Sequence, residues 1–194
     1  MNYRKLLVDY GNKLLYRNLV AGTSGNISLR GEDDDTFYIT PSGLDYHATT
    51  EKDIVKIHKD GTPYDKSQRP SSEWRVHLEI YKNYPEYNAV VHTHSTFATA
   101  FSVARKGIPL ILIEMKPFLG GEIKVAPFCE AGSAELSMSV IPYLKDSNSC
   151  LMANHGVVCC GKDLESAFLS AEYVEDAAKI YYYALNIGEA KIIG

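Results

Sequence analysis

Leu6, Leu7, Tyr10, Leu14 and Leu15 recur at helical spacing, which predicts an amphipathic helix that opens the chain and turns this stripe to the core. Residues 21–26 are small and polar, with glycines at 22 and 25. Residues 27–30 and 37–39 then read as two short strands. The acidic run Glu32-Asp33-Asp34-Asp35 between them lacks the spacing of an EF-hand loop, so it is read as a solvated turn of an antiparallel hairpin. Thr40-Pro41-Ser42-Gly43 is a turn by its Pro and Gly. Thr49 or Thr50 is placed to cap a short helix before a strand at 54–58, which Asp60-Gly61 terminates as a hairpin turn. Pro70-Ser71-Ser72-Glu73 predicts a helix start with Ser71 or Ser72 as the cap, and Pro85 a stop.

The second half mixes elements in the same way. Ala89-Val90-Val91 is a buried strand that runs into His92-Thr93-His94, followed by a helix over about 95–105. Strands are expected at 110–113, 123–126 and 150–152, and a helix at 133–144. Leu164, Ala167, Phe168, Ala171, Val174 and Ala178 predict a long last helix over 163–185, with Gly188 just past its end. Short turns between the early strands favour an α/β fold with a largely antiparallel sheet and helices on both faces. No GxGxxG or GxxxxGK[ST] loop is present, which argues against a nucleotide site.

Composition narrows the class. The chain has 194 residues, 45% hydrophobic and 23% charged, with 20 basic against 24 acidic side chains. That length suits one domain, 1–194. The net charge of −4 and the scattered basic residues argue against nucleic acid as a partner. No apolar run approaches a membrane span, and the first residues have no apolar segment of a secretory signal. The four cysteines show no CxxC spacing and read as free thiols of a cytoplasmic protein.

Candidate chemistry centres on His92-Thr93-His94. Strand alternation sends both imidazoles to one face and Thr93 to the other, which makes half of a metal site or a hydrogen-bonded pair. His155, in Asn154-His155-Gly156, is the natural third ligand, since zinc accepts imidazole nitrogen and catalytic sites often use three protein ligands. Glu73 is either a helix-start carboxylate that complements the dipole or a ligand and general base. Ser71 and Ser72, with the loops Thr23-Ser24-Gly25-Asn26 and Thr40-Pro41-Ser42-Gly43, offer hydroxyls and N–H groups for an anion, or ordinary turn chemistry.

In order along the chain, Gly22 to Ser28, Ile39 to Gly43, Pro70 to Glu73, Val90 to Ser95 and Asn154 to Gly156 resemble the class II aldolase/adducin family. The resemblance spans nearly the whole sequence. It implies a three-layer α/β/α fold with a central, largely antiparallel sheet, and a homotetramer. It further implies that His92, His94 and His155 bind Zn²⁺, with Glu73 as a ligand that also acts as acid/base. Gly25, Asn26, Ser42, Gly43, Ser71 and Ser72 match its phosphate-binding positions. The implied activity is zinc-dependent, reversible cleavage of a ketose 1-phosphate. L-fuculose 1-phosphate is the expected substrate, with dihydroxyacetone phosphate and L-lactaldehyde as products.

One position departs from that pattern. Glu114 stands at or beside the place where the related fuculose aldolases carry a tyrosine, and it could replace the phenol as a proton carrier. Related methylthioribulose-1-phosphate dehydratases carry a Glu-Met pair there, as in Glu114-Met115, so a dehydratase is an alternative. The others are a pentulose-phosphate 4-epimerase and a non-enzymatic adducin-like binding module. The residues after Gly188 offer no counterpart to the tail tyrosine of the fuculose aldolases.

Overall fold

The computed structural model describes residues 1–43 and 45–193. Helix α1 (Tyr3–Tyr16) leads into strands β1 (Asn26–Arg30), β2 (Thr36–Ile39) and β3 (Val55–His58). Helix α2 (Trp74–Asn83), strand β4 (Ala89–Thr93) and helix α3 (Thr96–Val103) follow. The rest comprises α4 (Met115–Leu119), β5 (Val125–Ala126), α5 (Ala134–Ser139), β6 (Ser149–Met152), β7 (Gly156–Gly161) and α6 (Leu164–Ile187).

The strands form one seven-stranded sheet in the order β3-β2-β1-β4-β7-β6-β5. The pairs from β3 across to β6 are antiparallel, but β5 joins β6 in parallel. The sheet is therefore mixed, which corrects the expectation of a largely antiparallel one. The parallel pair arises because residues 127–148 carry the chain back to the starting end of β5 before β6 begins.

Alternation along the central strands feeds two cores. Val91, Val157 and Cys159 enter one with α1, α3, α4 and α6. Val90, Val158 and Cys160 enter the other with α2 and α5. Each such aliphatic side chain contributes about 1.5–3 kcal/mol through burial. Because both faces are covered, β4 and β7 are buried along their whole length, and this rigid centre carries the histidines.

Several predicted elements shift. No helix forms at Thr49 or Thr50. Asp53 instead accepts from the Thr50 amide and hydroxyl at 2.8 and 2.6 Å, a local bond that competes with helix. Residues 110–113 are not a strand. Pro109 has no N–H for a ladder, and the pairing is limited to the Ile108–Ile123 bridge. The helix expected over 133–144 divides into α5 and a 3-10 turn, Ile141–Leu144, with Pro142 at its start. Strand β7 has no counterpart among the predicted strands. Its run Gly-Val-Val-Cys-Cys-Gly has no period-two polarity because both faces are buried. All four cysteines are free, and no helix among the described residues is long and apolar enough to cross a membrane.

Candidate metal centre and the loops around it

His92 is the fourth residue of β4, and His94 lies one residue past its end. The alternation places both rings on the α2 side, with centroids 4.8 Å apart. His155 comes from the tight β6–β7 connection, where Met152 pairs with Gly156. Asn154 there takes φ 55°, a left-handed conformation that asparagine tolerates better than most residues. The His155 ring lies 4.8 Å from that of His92 and 5.1 Å from that of His94.

The three imidazoles offer one nitrogen each within 4.8 Å of one another. Glu73, the residue capping α2, brings its carboxylate to the same place. Its Oε2 is 3.1 Å from His92 Nε2 and its Oε1 is 3.1 Å from His155 Nε2. The predicted caps, Ser71 and Ser72, stand before it. Ser71 Oγ accepts from the Glu73 amide at 3.3 Å.

The donors in this cluster do not match its acceptors. His92 Nδ1 donates to the Val157 carbonyl at 2.9 Å. In the neutral ring this leaves Nε2 as a lone pair, yet that atom faces His94 Nε2 at 2.9 Å and a carboxylate oxygen. Glu73 Oε1 is buried without a hydrogen-bond donor. Lone pairs converging on a carboxylate repel unless a cation joins them, so the four residues fit a divalent ion. The Val157 bond also fixes the His92 tautomer, as carbonyl partners do for metal-bound histidines.

Charge states follow the same logic. Burial alone would raise the Glu73 pKa, but where a proton on His92 or His155 stands in for the ion, its charge and hydrogen bond outweigh burial and hold the carboxyl well below the usual range. Burial, with His92 and His155 alongside, pushes His94 down to about 3, so it stays neutral and ligand-ready.

The three small loops meet beside this cluster. Thr40 Oγ1 accepts from the Ile27 amide at 3.1 Å, and the Thr40 amide donates to the Ile27 carbonyl at 3.0 Å. The Ser71 amide donates to the Thr40 carbonyl and the Ser42 amide to the Arg69 carbonyl, at 3.0 and 3.1 Å. A Pro41–Pro70 bridge closes the set. Gly25 has φ 75°, and a Cβ there would stand 2.7 Å from the His92 carbonyl. Only glycine lets this loop lie on the histidine-bearing strand. Ser42, Gly43 and Ser72 are exposed, whereas Ser71 and Asn26 are buried.

Glu114 does not join the cluster through any side-chain hydrogen bond among the described residues. It is the exposed residue preceding α4. Sequence reasoning missed His77, Ser28 and Tyr81, which bond in series behind Asn26. The available signal was a histidine four residues after Glu73 on the apolar face of a predicted helix. It also missed Glu175 on α6, whose two oxygens accept from the Phe97 and Ala98 amides at 2.9 Å and anchor α3 just after His94.

The chain matches the model of the class II aldolase and adducin N-terminal domain over residues 5–182. It is 34% identical over 190 residues to 5-deoxy-D-ribulose 1-phosphate aldolase of Bacillus thuringiensis serovar kurstaki, covering 98% of this chain and 89% of that protein. It is 36% identical over 181 residues to L-fuculose phosphate aldolase of Escherichia coli K12, covering 93% and 83%. A solved L-fuculose 1-phosphate aldolase superposes with a TM-score of 0.94 at 33% identity, covering 99% of this chain and 90% of that one. With the histidine cluster in place and the match running almost end to end, the chain belongs to the class II aldolase and adducin family.

Proposed function

We propose that the protein is a metal-dependent aldolase that reversibly cleaves a ketose 1-phosphate between C3 and C4. The observation that carries this reading is the convergence of three imidazoles and one buried carboxylate beside three joined, N–H-rich loops. Zinc is the ion proposed, held by His92, His94 and His155, with Glu73 as the fourth ligand. When bound, it supplies Lewis acidity for negative charge that develops on the substrate as the bond breaks.

The chain's own groups do the rest. The loops at Gly25-Asn26, Ser42-Gly43 and Ser71-Ser72 anchor the phosphate, so binding energy remote from the reacting carbons orients them. Glu73, having taken up a proton from solvent, delivers it to the carbanionic C3 after cleavage and removes it in the condensation direction. Glu114 is proposed to carry the proton at the C4 oxygen. L-Fuculose 1-phosphate would give dihydroxyacetone phosphate and L-lactaldehyde. 5-Deoxyribulose 1-phosphate, suggested by the name of one relative, would give the same triose and acetaldehyde. The reading carries with it a cytoplasmic homotetramer of single-domain subunits, which light scattering tests.

The test is release of dihydroxyacetone phosphate from each substrate, before and after chelation and after zinc is restored. Release that chelation abolishes and zinc restores is the expected result. The faster substrate settles which sugar the site prefers. A zinc-loaded, folded protein that cleaves neither would overturn the aldolase reading.

A further inference from the structure

Behind Glu73 runs a buried series of hydrogen bonds whose direction is fixed from one end. The Asn26 side chain contacts Glu73 Oε2 at 2.9 Å. An ionised carboxylate only accepts, so the amide NH2 faces it and the amide oxygen faces away. That oxygen meets His77 Nε2, so Nε2 carries the proton and Nδ1 does not. The bare Nδ1 then accepts from the Ser28 hydroxyl at 2.7 Å, and Ser28 Oγ accepts from the Tyr81 hydroxyl at 2.6 Å. Every bond follows from the one before it.

Two regular spacings make this possible. Asn26 and Ser28 are alternate residues of β1 and share a face. Glu73, His77 and Tyr81 recur every fourth position from the cap of α2 inward, along one helical stripe. The strand side chains insert between the helix side chains, Asn26 between Glu73 and His77, and Ser28 between His77 and Tyr81. Asn26, Ser28, His77 and Tyr81 are all at most 4% exposed, so water cannot replace these partners. Burial pushes His77 down to about 3, which agrees with a neutral ring that has one donor and one acceptor.

We propose that His77, oriented by Ser28 and Tyr81, is a positioning residue that locks the Asn26 amide with its NH2 group toward Glu73. Among the described residues, its side-chain hydrogen bonds reach the candidate metal ligands and the phosphate loops only through Asn26. The proposal rests on the reading of Glu73 as ligand and acid/base. Without the His77 donor, the buried Asn26 oxygen lacks a partner, and the amide loses the constraint that aims it at the carboxylate.

The test compares His77→Gln, His77→Asn and His77→Phe, each alone and with Asn26→Ala. Glutamine can place an N–H near the position of Nε2, whereas asparagine reaches only as far as Nδ1. The measurements are kcat and KM for dihydroxyacetone phosphate release, and zinc retention against a chelator. Nitrogen-15 spectra of the imidazoles of the unsubstituted protein complete the set. His77→Gln should stay within about threefold in kcat and zinc retention, while His77→Asn and His77→Phe lose about 10–100-fold in one or both. That loss should largely vanish in the Asn26→Ala background, because both changes remove the same interaction. The spectra should show His77 neutral and protonated at Nε2.

Equal losses for Gln and Asn in folded proteins, additivity with Asn26→Ala, or a proton on Nδ1 would each overturn the proposal. If the substituted chains fail to fold, the tautomer of the unsubstituted protein decides alone. If the zinc-loaded protein cleaves no ketose 1-phosphate, the aldolase reading fails. Zinc retention and the tautomer then still decide whether His77 positions Asn26.

Discussion

A methyl group added to Gly156 would overlap the carbonyl oxygen of Thr93 and stand 3.1 Å from His94 Cδ2 and 3.2 Å from His92 Cε1. The β7 backbone thus presses directly on the two-histidine strand end, and this contact sets His155 beside its partners. Gly156→Ala should force the strands apart. We expect a destabilisation of about 1–3 kcal/mol and a loss of bound zinc that exceeds what the stability change explains. Calorimetry and zinc stoichiometry on the same preparation check both.

Glu73→Gln preserves the shape of the side chain and removes its charge. The glutamine can neither accept the proton nor balance a cation as a carboxylate does. The kcat for triose phosphate release should fall about 10²–10⁴-fold, measured under saturating zinc so that the loss of proton transfer is separated from loss of metal.

Glu175 fastens the start of α3, and with it the segment holding His94. Glu175→Ala leaves two amides at the helix start without acceptors. The expected cost is about 1–2 kcal/mol, a fall in melting temperature of roughly 2–8 °C for a chain of this size. Zinc should dissociate faster in the variant. A stable protein with unchanged zinc release would show that α3 does not position His94.

Acid should destabilise the metal-free protein through His77. Its folded pKa, about 3, lies below the ordinary 6.5. Between those values the unfolded chain binds the proton and the folded chain does not. Stability from this group is therefore complete above pH 6.5 and declines as pH falls toward 3, at up to about 1.4 kcal/mol per pH unit. Urea unfolding from pH 7 to pH 4 should show a shallower acid decline in metal-free His77→Gln than in the unsubstituted protein.

How legible this site was differed residue by residue. His92 and His94 were readable because strand alternation is a local rule, and His155 because a turn asparagine and a glycine frame it. Gly25 was readable as a loop glycine, but the strand it would strike, β4, lies far away in sequence. His77 and Tyr81 sat in plain view on the apolar face of a predicted helix, where a polar group reads as core until its partner is known. Their partners, Asn26 and Ser28, lie about fifty positions upstream. The pairing depends on how α2 settles on the sheet, which no local pattern encodes. Residues 110–113 mark the opposite failure. Their apolar run satisfied strand propensity, but the edge pairing it required was not available.

The interleaving of β1 with α2 works like a vernier. Two residues of strand advance about 6.6 Å and four residues of helix about 6.0 Å, so the two scales nearly coincide over two divisions and then drift. The next strand residue on that face, Arg30, lays its guanidinium over the Tyr81 ring, 5.0 Å from the centroid. It also donates to the Tyr81 main-chain carbonyl, at 2.9 Å. Strand and helix stay in step from Glu73 to Tyr81, so the carboxylate is tied to the sheet by a contact repeated at each division.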